Sequence, residues 1–386
     1  MALPGKEFIG SDVLGTLAGE IEAPFVTFVS PDGRVITPMD EDGQRMVMEV
    51  INSSNCVTAC PEWRFHTIEG KTPSVWTGNG QSMQGIRCLY EQLFKAGLKH
   101  RYNMIPVAWL PGSHLAGIPA DEGYELLKNR KPQVLEAANA FSLHVHFGVK
   151  ELTDRGIRVL KMMDMLSPLL AAISANSYDT ECGYSYHSMR LQRWLSFQLV
   201  RFIPPEVQDV KSFLEKMEYA LKHKVAQQWT RLWFFNRFSI YTAESRICDL
   251  PGLPSEAQTL TATIASLFHA FFVEGVNLDV PEDDFKHDEK LRVNIGIATL
   301  GLQNMDAHFY NPFNRGKEGC LGDALEGLIR FVAPFMNELQ YQPQHAALIQ
   351  QVKNQENGAM RMMRDFQAGR NPYMEAHNRL AAELGL

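Results

Sequence analysis

The sequence is short of positive charge. Among 386 residues, 37 lysines and arginines stand against 44 aspartates and glutamates, a formal net charge of −7. Chains that hold a nucleic-acid backbone usually carry a basic patch, so this balance argues against that partner, though not against a small anion in a local pocket. Long apolar runs are also missing. No stretch of about 18 uninterrupted apolar residues occurs, so no membrane span is expected. Met1-Ala2-Leu3-Pro4-Gly5-Lys6 shows no charged segment followed by an apolar one, so no signal peptide and a cytoplasmic location are expected. Cysteine is sparse. Cys56, Cys60, Cys88, Cys182, Cys248 and Cys320 are scattered, as reduced thiols are. Cys56 and Cys60 are the only close pair, and no second pair or suitably spaced histidines follow to complete a zinc site. The Gly-x-x-x-x-Gly-Lys-Ser/Thr phosphate loop is absent, and Gly78-Asn79-Gly80 followed by Gly85 is not a dinucleotide fingerprint in good context. A nucleotide, if bound, has to be held by metals and arginines on a sheet. No internal repeat or low-complexity tract occurs.

What is present is enough apolar material for a large core, 45% of the residues. Residues 25–29 and 34–37, joined by Ser30-Pro31-Asp32-Gly33, read as strand, turn and strand. Residues 83–98 have helical apolar spacing, with Gly97 as a plausible stop. Residues 102–110 and 141–149 read as strands, and 132–140 as a short helix. Residues 153–175 and 255–276 read as long apolar helices, the second apolar enough to help bury an interface between copies. Residues 204–226 read as a helix with one polar face, and 238–249 as one strand. Residues 311–319, rich in Asn and Gly, read as a loop. The last 65 residues, from about 322, read as mainly helical. Strands and helices mix without a βαβ rhythm, which favours an α+β class with an antiparallel or mixed sheet covered by helices on one side. The expected organisation is a single catalytic domain over 1–386.

Three stretches place two chemically capable side chains two residues apart inside an apolar run: Glu20 and Glu22, His144 and His146, and Glu244 and Arg246. In a strand, residues i and i+2 share a face. Buried like carboxylates are costly unless a cation sits between them. Hard cations such as Mg²⁺ take carboxylates together with substrate phosphates. One imidazole can ligate a metal while the other donates to a phosphate oxygen. A guanidinium suits the oxygens of a transferring phosphoryl group. Each pair alone also has a plain explanation: solvated edge acids, hydrogen-bonded structural histidines, or a cross-strand ion pair. Together they point to a metal-dependent enzyme acting on a phosphate. Secondary candidates are Arg190, Arg193, Arg231, Arg237, Arg315 and Lys317. Of these, Arg190 follows a loop carrying Tyr178, Tyr184 and Tyr186 that could line a small-molecule pocket.

At these residues the chain resembles the bacterial glutamate–cysteine ligase family, in its carboxylate-amine ligase branch, within the glutamine synthetase-like superfamily. The resemblance rests on Gly19-Glu20-Ile21-Glu22, on His144-Val145-His146-Phe147-Gly148-Val149, on Ser174-Ala175-Asn176-Ser177 and on Thr242-Ala243-Glu244-Ser245-Arg246-Ile247-Cys248-Asp249. Asn357-Gly358-Ala359-Met360-Arg361 is a weaker match. The pieces span roughly residues 15–370. The resemblance implies a curved antiparallel sheet forming an open funnel. It implies Mg²⁺ (or Mn²⁺) at Glu20, Glu22, His144 and Glu244. It puts His146 and Arg246 near the ATP phosphates. From the secondary candidates, Arg237 and Lys317 are added as nucleotide-binding residues, and Arg190 joins Arg246 as a catalytic candidate. The implied reaction activates an amino-acid carboxylate, glutamate in the family, as an acyl phosphate that an amine then attacks. The implied partners are therefore small molecules, with a homo-oligomer allowed.

Three departures stand out. Gly19 directly precedes Glu20, where the family has Gly-x-Glu-x-Glu. Trp76 stands in Ser74-Val75-Trp76-Thr77 at the position expected to carry an acid, which leaves open whether Glu69 substitutes. Asn311-Pro312-Phe313-Asn314 replaces a basic Asn-Arg-Trp-Arg loop. Besides the ligase, two readings remain: a non-ligating descendant that binds a small molecule or a partner, and a phosphotransferase on the same scaffold.

Overall fold

The computed structural model describes residues 14–29, 36–54, 56–62, 64–78, 80–110, 117, 140–149, 152–178, 188–196, 202–204, 206–222, 235–239, 242–280 and 288–386. At its centre runs one long strand, β1 (Thr16–Phe28), whose first half alternates between half-buried and buried positions. Leu17, Gly19, Ile21 and Ala23 fall on one face, and Thr16, Ala18, Glu20 and Glu22 on the other. After it come β2 (Ile36–Pro38), α1 (Glu41–Asn52), β3 (Thr58–Pro61), β4 (Thr67–Lys71), β5 (Val75–Trp76), α2 (Gln81–Lys99), β6 (Asn103–Met104) and β7 (Leu143–Gly148). The middle of the chain supplies α3 (Asp154–Ser174), α4 (Met189–Ser196), α5 (Val210–Lys222), β8 (Asn236–Ser239), β9 (Thr242–Ser245) and α6 (Pro254–Phe268). The rest forms α7 (Asp288–Ala298), β10 (His308–Asn311), β11 (Lys317–Cys320), α8 (Leu321–Glu338), α9 (Gln342–Lys353), α10 (Gly358–Gln367) and α11 (Pro372–Leu384).

Nine strands make one sheet in the order β3-β4-β1-β7-β9-β8, with β2, β5 and β6 also paired to β1. Every registered pair in it is antiparallel. Helices cover the apolar face. A Cβ on Gly19 would lie 2.4 Å from Ile86 Cδ1, and one on Gly70 2.7 Å from Leu89 Cδ1, so these two strand glycines let α2 approach the sheet. This accounts for Gly19 directly before Glu20: the glycine serves the packed face and the glutamate the open one.

Local chemistry starts the helices where the sequence places them. Thr153 caps α3 by accepting from Gly156 N at 3.0 Å, and Asp40 caps α1 by accepting from Gly43 N at 2.9 Å. Other expectations need correction. Gly97 does not stop α2, which runs on to Lys99; a Cβ there would lie 2.9 Å from Phe25 Cε1, so the glycine marks a close approach. Residues 102–110 give only β6 and an isolated bridge between Trp109 and Ala140. The single strand expected over 238–249 is an antiparallel pair, β8 and β9. The loop expected over 311–319 is the β10–β11 hairpin, closed by a short 3₁₀ turn at Pro312–Asn314. The turn 30–33 and the helix expected over 132–140 lie outside the described residues, apart from Ala140.

α6 is buried on nearly every side, packed on α2, α8, α9 and β7, and passes into a π-helical turn at His269–Val273. Its apolar surface is therefore used inside the chain and not at an interface between copies. The C-terminal helices close over α3. Ala359 N donates to Ala175 O at 3.1 Å, Asn357 Nδ2 to Ala172 O at 3.2 Å, and Arg361 pairs with Glu256 at 2.6 Å. One cluster of buried apolar side chains extends from Leu17 to Leu380. Among the described residues, no helix is long and apolar enough to cross a membrane.

Candidate functional site

Strand register turns the sequence pairs into a grid on the open face of the sheet. One row across the strands runs Thr58, Lys71, Glu20, His144. Two residues along β1, the next row runs Cys60, Glu69, Glu22. In the other direction it runs Ala18, His146, Glu244, Arg237. Partners opposite each other in a ladder share a face, so the three sequence pairs converge as their spacing requires.

The contacts are dense. His144 Nδ1 lies 3.3 Å from Glu20 Oε2 and 3.8 Å from Glu244 Oε1, and its Nε2 lies 2.7 Å from Ser142 Oγ. Ser142 also donates to Glu22. His146 Nε2 lies 3.4 Å from Glu20 Oε1 and 4.0 Å from Glu244 Oε1, while its Nδ1 meets Thr242 Oγ1 at 3.1 Å. Arg237 grips Glu244 with Nε at 2.6 Å from Oε2. Arg246 Nε is 3.3 Å from Glu244 Oε1 and 3.4 Å from His144 Nε2. Lys71 bridges Glu69 at 2.6 Å and Glu20 at 3.1 Å.

Ionisation follows from these neighbours. Burial raises Glu20, but His146 and His144 more than reverse it and hold the carboxyl well below the usual range. Burial also raises Glu244, and Arg237, His146 and Arg246 bring it down to about 2. Burial lowers His146, yet Glu20 and Glu244 leave it raised overall. Glu62 goes the other way. Burial, then repulsion from Glu69 and Glu22, pushes it well above the ordinary carboxyl range.

Three groups bring one ligand atom per residue within 4.8 Å of one another on this face: Glu20, His146 and Glu244; Glu20, Glu69 and His144; Glu22, Glu62 and Glu69. The donors are mostly carboxylate oxygens, which suits a hard divalent cation. Glu69 lies opposite Glu22 and belongs to two of these groups, while Trp76 lies further along the sheet on β5, opposite Thr16. Both histidines stand among the carboxylates: His146 with Glu20 and Glu244, and His144 with Glu20 and Glu69 and also 3.8 Å from Glu244. Glu62, Lys71 and Ser142 were not marked by any sequence pattern. Glu62 sits in an irregular link, and Ser142 lies just before β7.

Arg190 is placed behind the site and not in it. Fully buried on α4, it donates to Ile247 O at 3.0 Å and Arg246 O at 2.7 Å, and lies 3.7 Å from Asp249. Asp249 in turn accepts from Asn176 N at 3.1 Å and Ser188 Oγ at 2.8 Å. Burial raises its carboxyl to about 6, against the pull of Arg190. The Ser174–Ser177 and Asp249 motif pieces therefore form a bracket holding the strand end that carries Arg246. Lys317 lies exposed on the separate β10–β11 hairpin, and among the described residues no hydrogen bond or ion pair joins it to the cluster. Arg315 is exposed and pairs with Asp279 at 3.3 Å. Arg193 lies on α4, with its side chain outside the described residues. Arg231, Tyr184, Tyr186 and Cys182 also lie outside them.

Known proteins share this arrangement of strands and helices. A curated relative from Solibacter usitatus (strain Ellin6076), provisionally named glutamate–cysteine ligase 2, is 25% identical over 251 residues. That match covers 64% of this chain and 63% of the relative, so it spans less than two thirds of the relative's length. The solved glutamate–cysteine ligase from Francisella tularensis, in complex with AMP, matches at TM-score 0.68 and 11% identity over 96% of this chain and 89% of that one. A bifunctional glutathione synthetase from Pasteurella multocida matches at TM-score 0.64 and 12% identity over 98% of this chain and 53% of that one. These structures show the fold, α+β with an antiparallel sheet under helices. The model of the glutamate–cysteine ligase family 2 matches residues 25–296, which include Glu69, both histidines, Arg237, Glu244 and Arg246 but begin after Glu22. The chain belongs to the glutamate–cysteine ligase family 2.

Proposed function

We propose that the open face carries out ATP-dependent ligation of an amino-acid carboxylate, glutamate by family expectation, to an amine, within a single domain over 1–386. The observation that carries the reading is the grid itself: carboxylates, imidazoles and guanidinium groups from β4, β1, β7, β9 and β8 meet on one face. Glu20, Glu22, Glu69, Glu244 and the two histidines are the residues to hold Mg²⁺ or Mn²⁺. Bound there, the cations shield the negative charge shared between the polyphosphate and the incoming carboxylate.

The chain's own residues then have distinct tasks. A substrate carboxylate oxygen bonds to the γ-phosphorus of ATP as the bond to the β–γ bridging oxygen breaks, and ADP leaves. Arg246, a permanent cation partly open to solvent, faces the equatorial oxygens of the transferring group. Arg237 keeps Glu244 ionised and fixed. The amine nitrogen next bonds to the acyl carbon, phosphate leaves with the electron pair of the acyl–oxygen bond, and the nitrogen loses a proton. Arg190 positions Arg246 through the carbonyls it holds and is not itself assigned to substrate. Lys317 is not assigned a role.

A second reading, a descendant with altered chemistry, draws on one observation. Where the family has a basic loop, Asn311 is buried and caps the 3₁₀ turn by accepting from Phe313 N at 2.9 Å. The test is phosphate release from Mg·ATP with glutamate, adding amino acids and small amines in turn. Release that depends on the amine and vanishes in Glu244→Gln supports the ligase. Absence of release with every acceptor, and of Mg-dependent ATP binding, supports the altered descendant.

A further inference from the structure

The charged rows end at Ala18, His146, Glu244 and Arg237, and the next row along the strands changes character. There Trp76 pairs with Thr16, and Gly148 pairs with Thr242. Thr16 shares its face with Ala18, Glu20 and Glu22, so Trp76 stands on the open face too. None of these four residues carries a charge, and glycine adds no side chain to the floor. Trp76 is nevertheless 55% exposed, the most exposed large aromatic side chain after Tyr219 among the described residues. A large exposed indole beside a charged cleft is an unusual use of a residue that folding tends to bury.

Strand geometry places it. Trp76 lies two strands from His146, about 10 Å across, and one row, about 7 Å, along. The row nearest to it holds His146, Glu244 and Arg237. The acid-rich row of Glu22 and Glu69 lies at the far end of the grid. A polyanion seated over the rows that hold the guanidinium and imidazole groups therefore extends its uncharged end toward Trp76.

We propose that Trp76 is the stacking wall for the base of the nucleotide. The proposal rests on the ligase reading above and adds a binding role for a residue outside the charged cluster. Stacking on an aromatic plane acts on the base and leaves the polyphosphate untouched.

The experiment is calorimetric binding of ATP, ADP and inorganic tripolyphosphate, each with Mg²⁺, to the intact protein and to Trp76→Ala and Trp76→Phe, with melting curves as a folding check. Trp76→Ala is expected to weaken ATP and ADP by roughly five- to a hundredfold while tripolyphosphate binds as in the parent. Trp76→Phe is expected to stay within about twofold of the parent. Equal weakening of tripolyphosphate, or a lowered melting temperature, would make Trp76 structural and overturn the proposal. Unchanged nucleotide binding with a raised KM for the amine would move the residue to the acceptor site and overturn it as well. If the parent itself binds no ATP, the ligase reading fails first and the stacking role falls with it.

Discussion

Arg237 holds both oxygens of Glu244, with Nε 2.6 Å from Oε2 and a terminal nitrogen 3.2 Å from Oε1. The two residues are ladder partners on β8 and β9, so the backbone sets the geometry before the side chains meet. A planar fork fits a carboxylate this way and an ammonium cannot. Arg237→Lys should therefore keep the charge and lose the grip. The expected fall in kcat/KM is roughly 10- to 100-fold, from the typical worth of a charge-assisted hydrogen bond. Steady-state kinetics on Arg237→Lys and Arg237→Ala checks this, with the alanine variant lower than the lysine.

Glu62 gives a prediction in which the sign depends on the metal. Without a cation, its carboxyl is pushed up by burial and by Glu69 and Glu22. Glu62→Gln should then raise the melting temperature of metal-free protein at neutral pH, because folding no longer has to protonate this carboxyl or hold it charged beside Glu69 and Glu22. The same change should shrink the stabilisation gained on adding Mg²⁺ or Mn²⁺, which follows the ratio of free ion to dissociation constant. Melting curves with chelator and with added metal, on both proteins, read the two signs separately.

The bracket behind the site depends on one glycine. A Cβ on Gly358 would fall 1.7 Å from Asn176 Oδ1. Asn176 cannot yield easily, since its amide donates to Pro106 O at 2.7 Å and to Leu250 O at 2.6 Å. Gly358→Ala should cost about 1–3 kcal/mol as overpacking. Chemical denaturation measures it. A loss below about 0.5 kcal/mol would show that α10 shifts without strain.

Asp164 supplies a pH dependence away from the carboxylates proposed to hold the metal. Burial raises its carboxyl to about 7, against donors at Ile203 N and Asn236 Nδ2 that pull it down. The folded state therefore holds this proton more tightly than the unfolded chain, whose aspartate has the ordinary value of 3.8. The contribution is full below about pH 4 and is lost as pH rises through about 7. The slope between those limits approaches 1.4 kcal/mol per pH unit. Unfolding free energies across that window, for the parent and Asp164→Asn, should differ by this slope.

Much of the site was legible because a strand has a period of two. Glu20 with Glu22, His144 with His146 and Glu244 with Arg246 needed only that rule to share a face. Glu69 was ambiguous because its place depends on register with Glu22, which a single sequence does not print. Glu62 lies in no strand, so no periodicity marks it. The reversal between β8 and β9 was hidden for a chemical reason. Ser239-Ile240-Tyr241-Thr242 has no Gly, Pro, Asn or Asp, and its β-branched and aromatic residues read as uninterrupted strand. At residues 311–319 the opposite happened. Turn-forming residues suggested a loop, but Asn294 on α7 binds both the amide and the carbonyl of Tyr310 and fixes a strand there. Arg190 looked like a pocket residue from its aromatic neighbours. Its buried position is set by carbonyls at Arg246 and Ile247, far along the chain.

The most direct test of the central claim follows an oxygen atom. Glutamate labelled with ¹⁸O in its carboxylates is turned over with Mg·ATP and the best amine, and the released phosphate is analysed by mass. Attack of the carboxylate on the γ-phosphorus, followed by displacement of phosphate by the amine, transfers one label to phosphate in each turnover. Amide product accompanied by unlabelled phosphate would mean that no carboxylate oxygen reaches the γ-phosphorus, and would contradict the acyl-phosphate route.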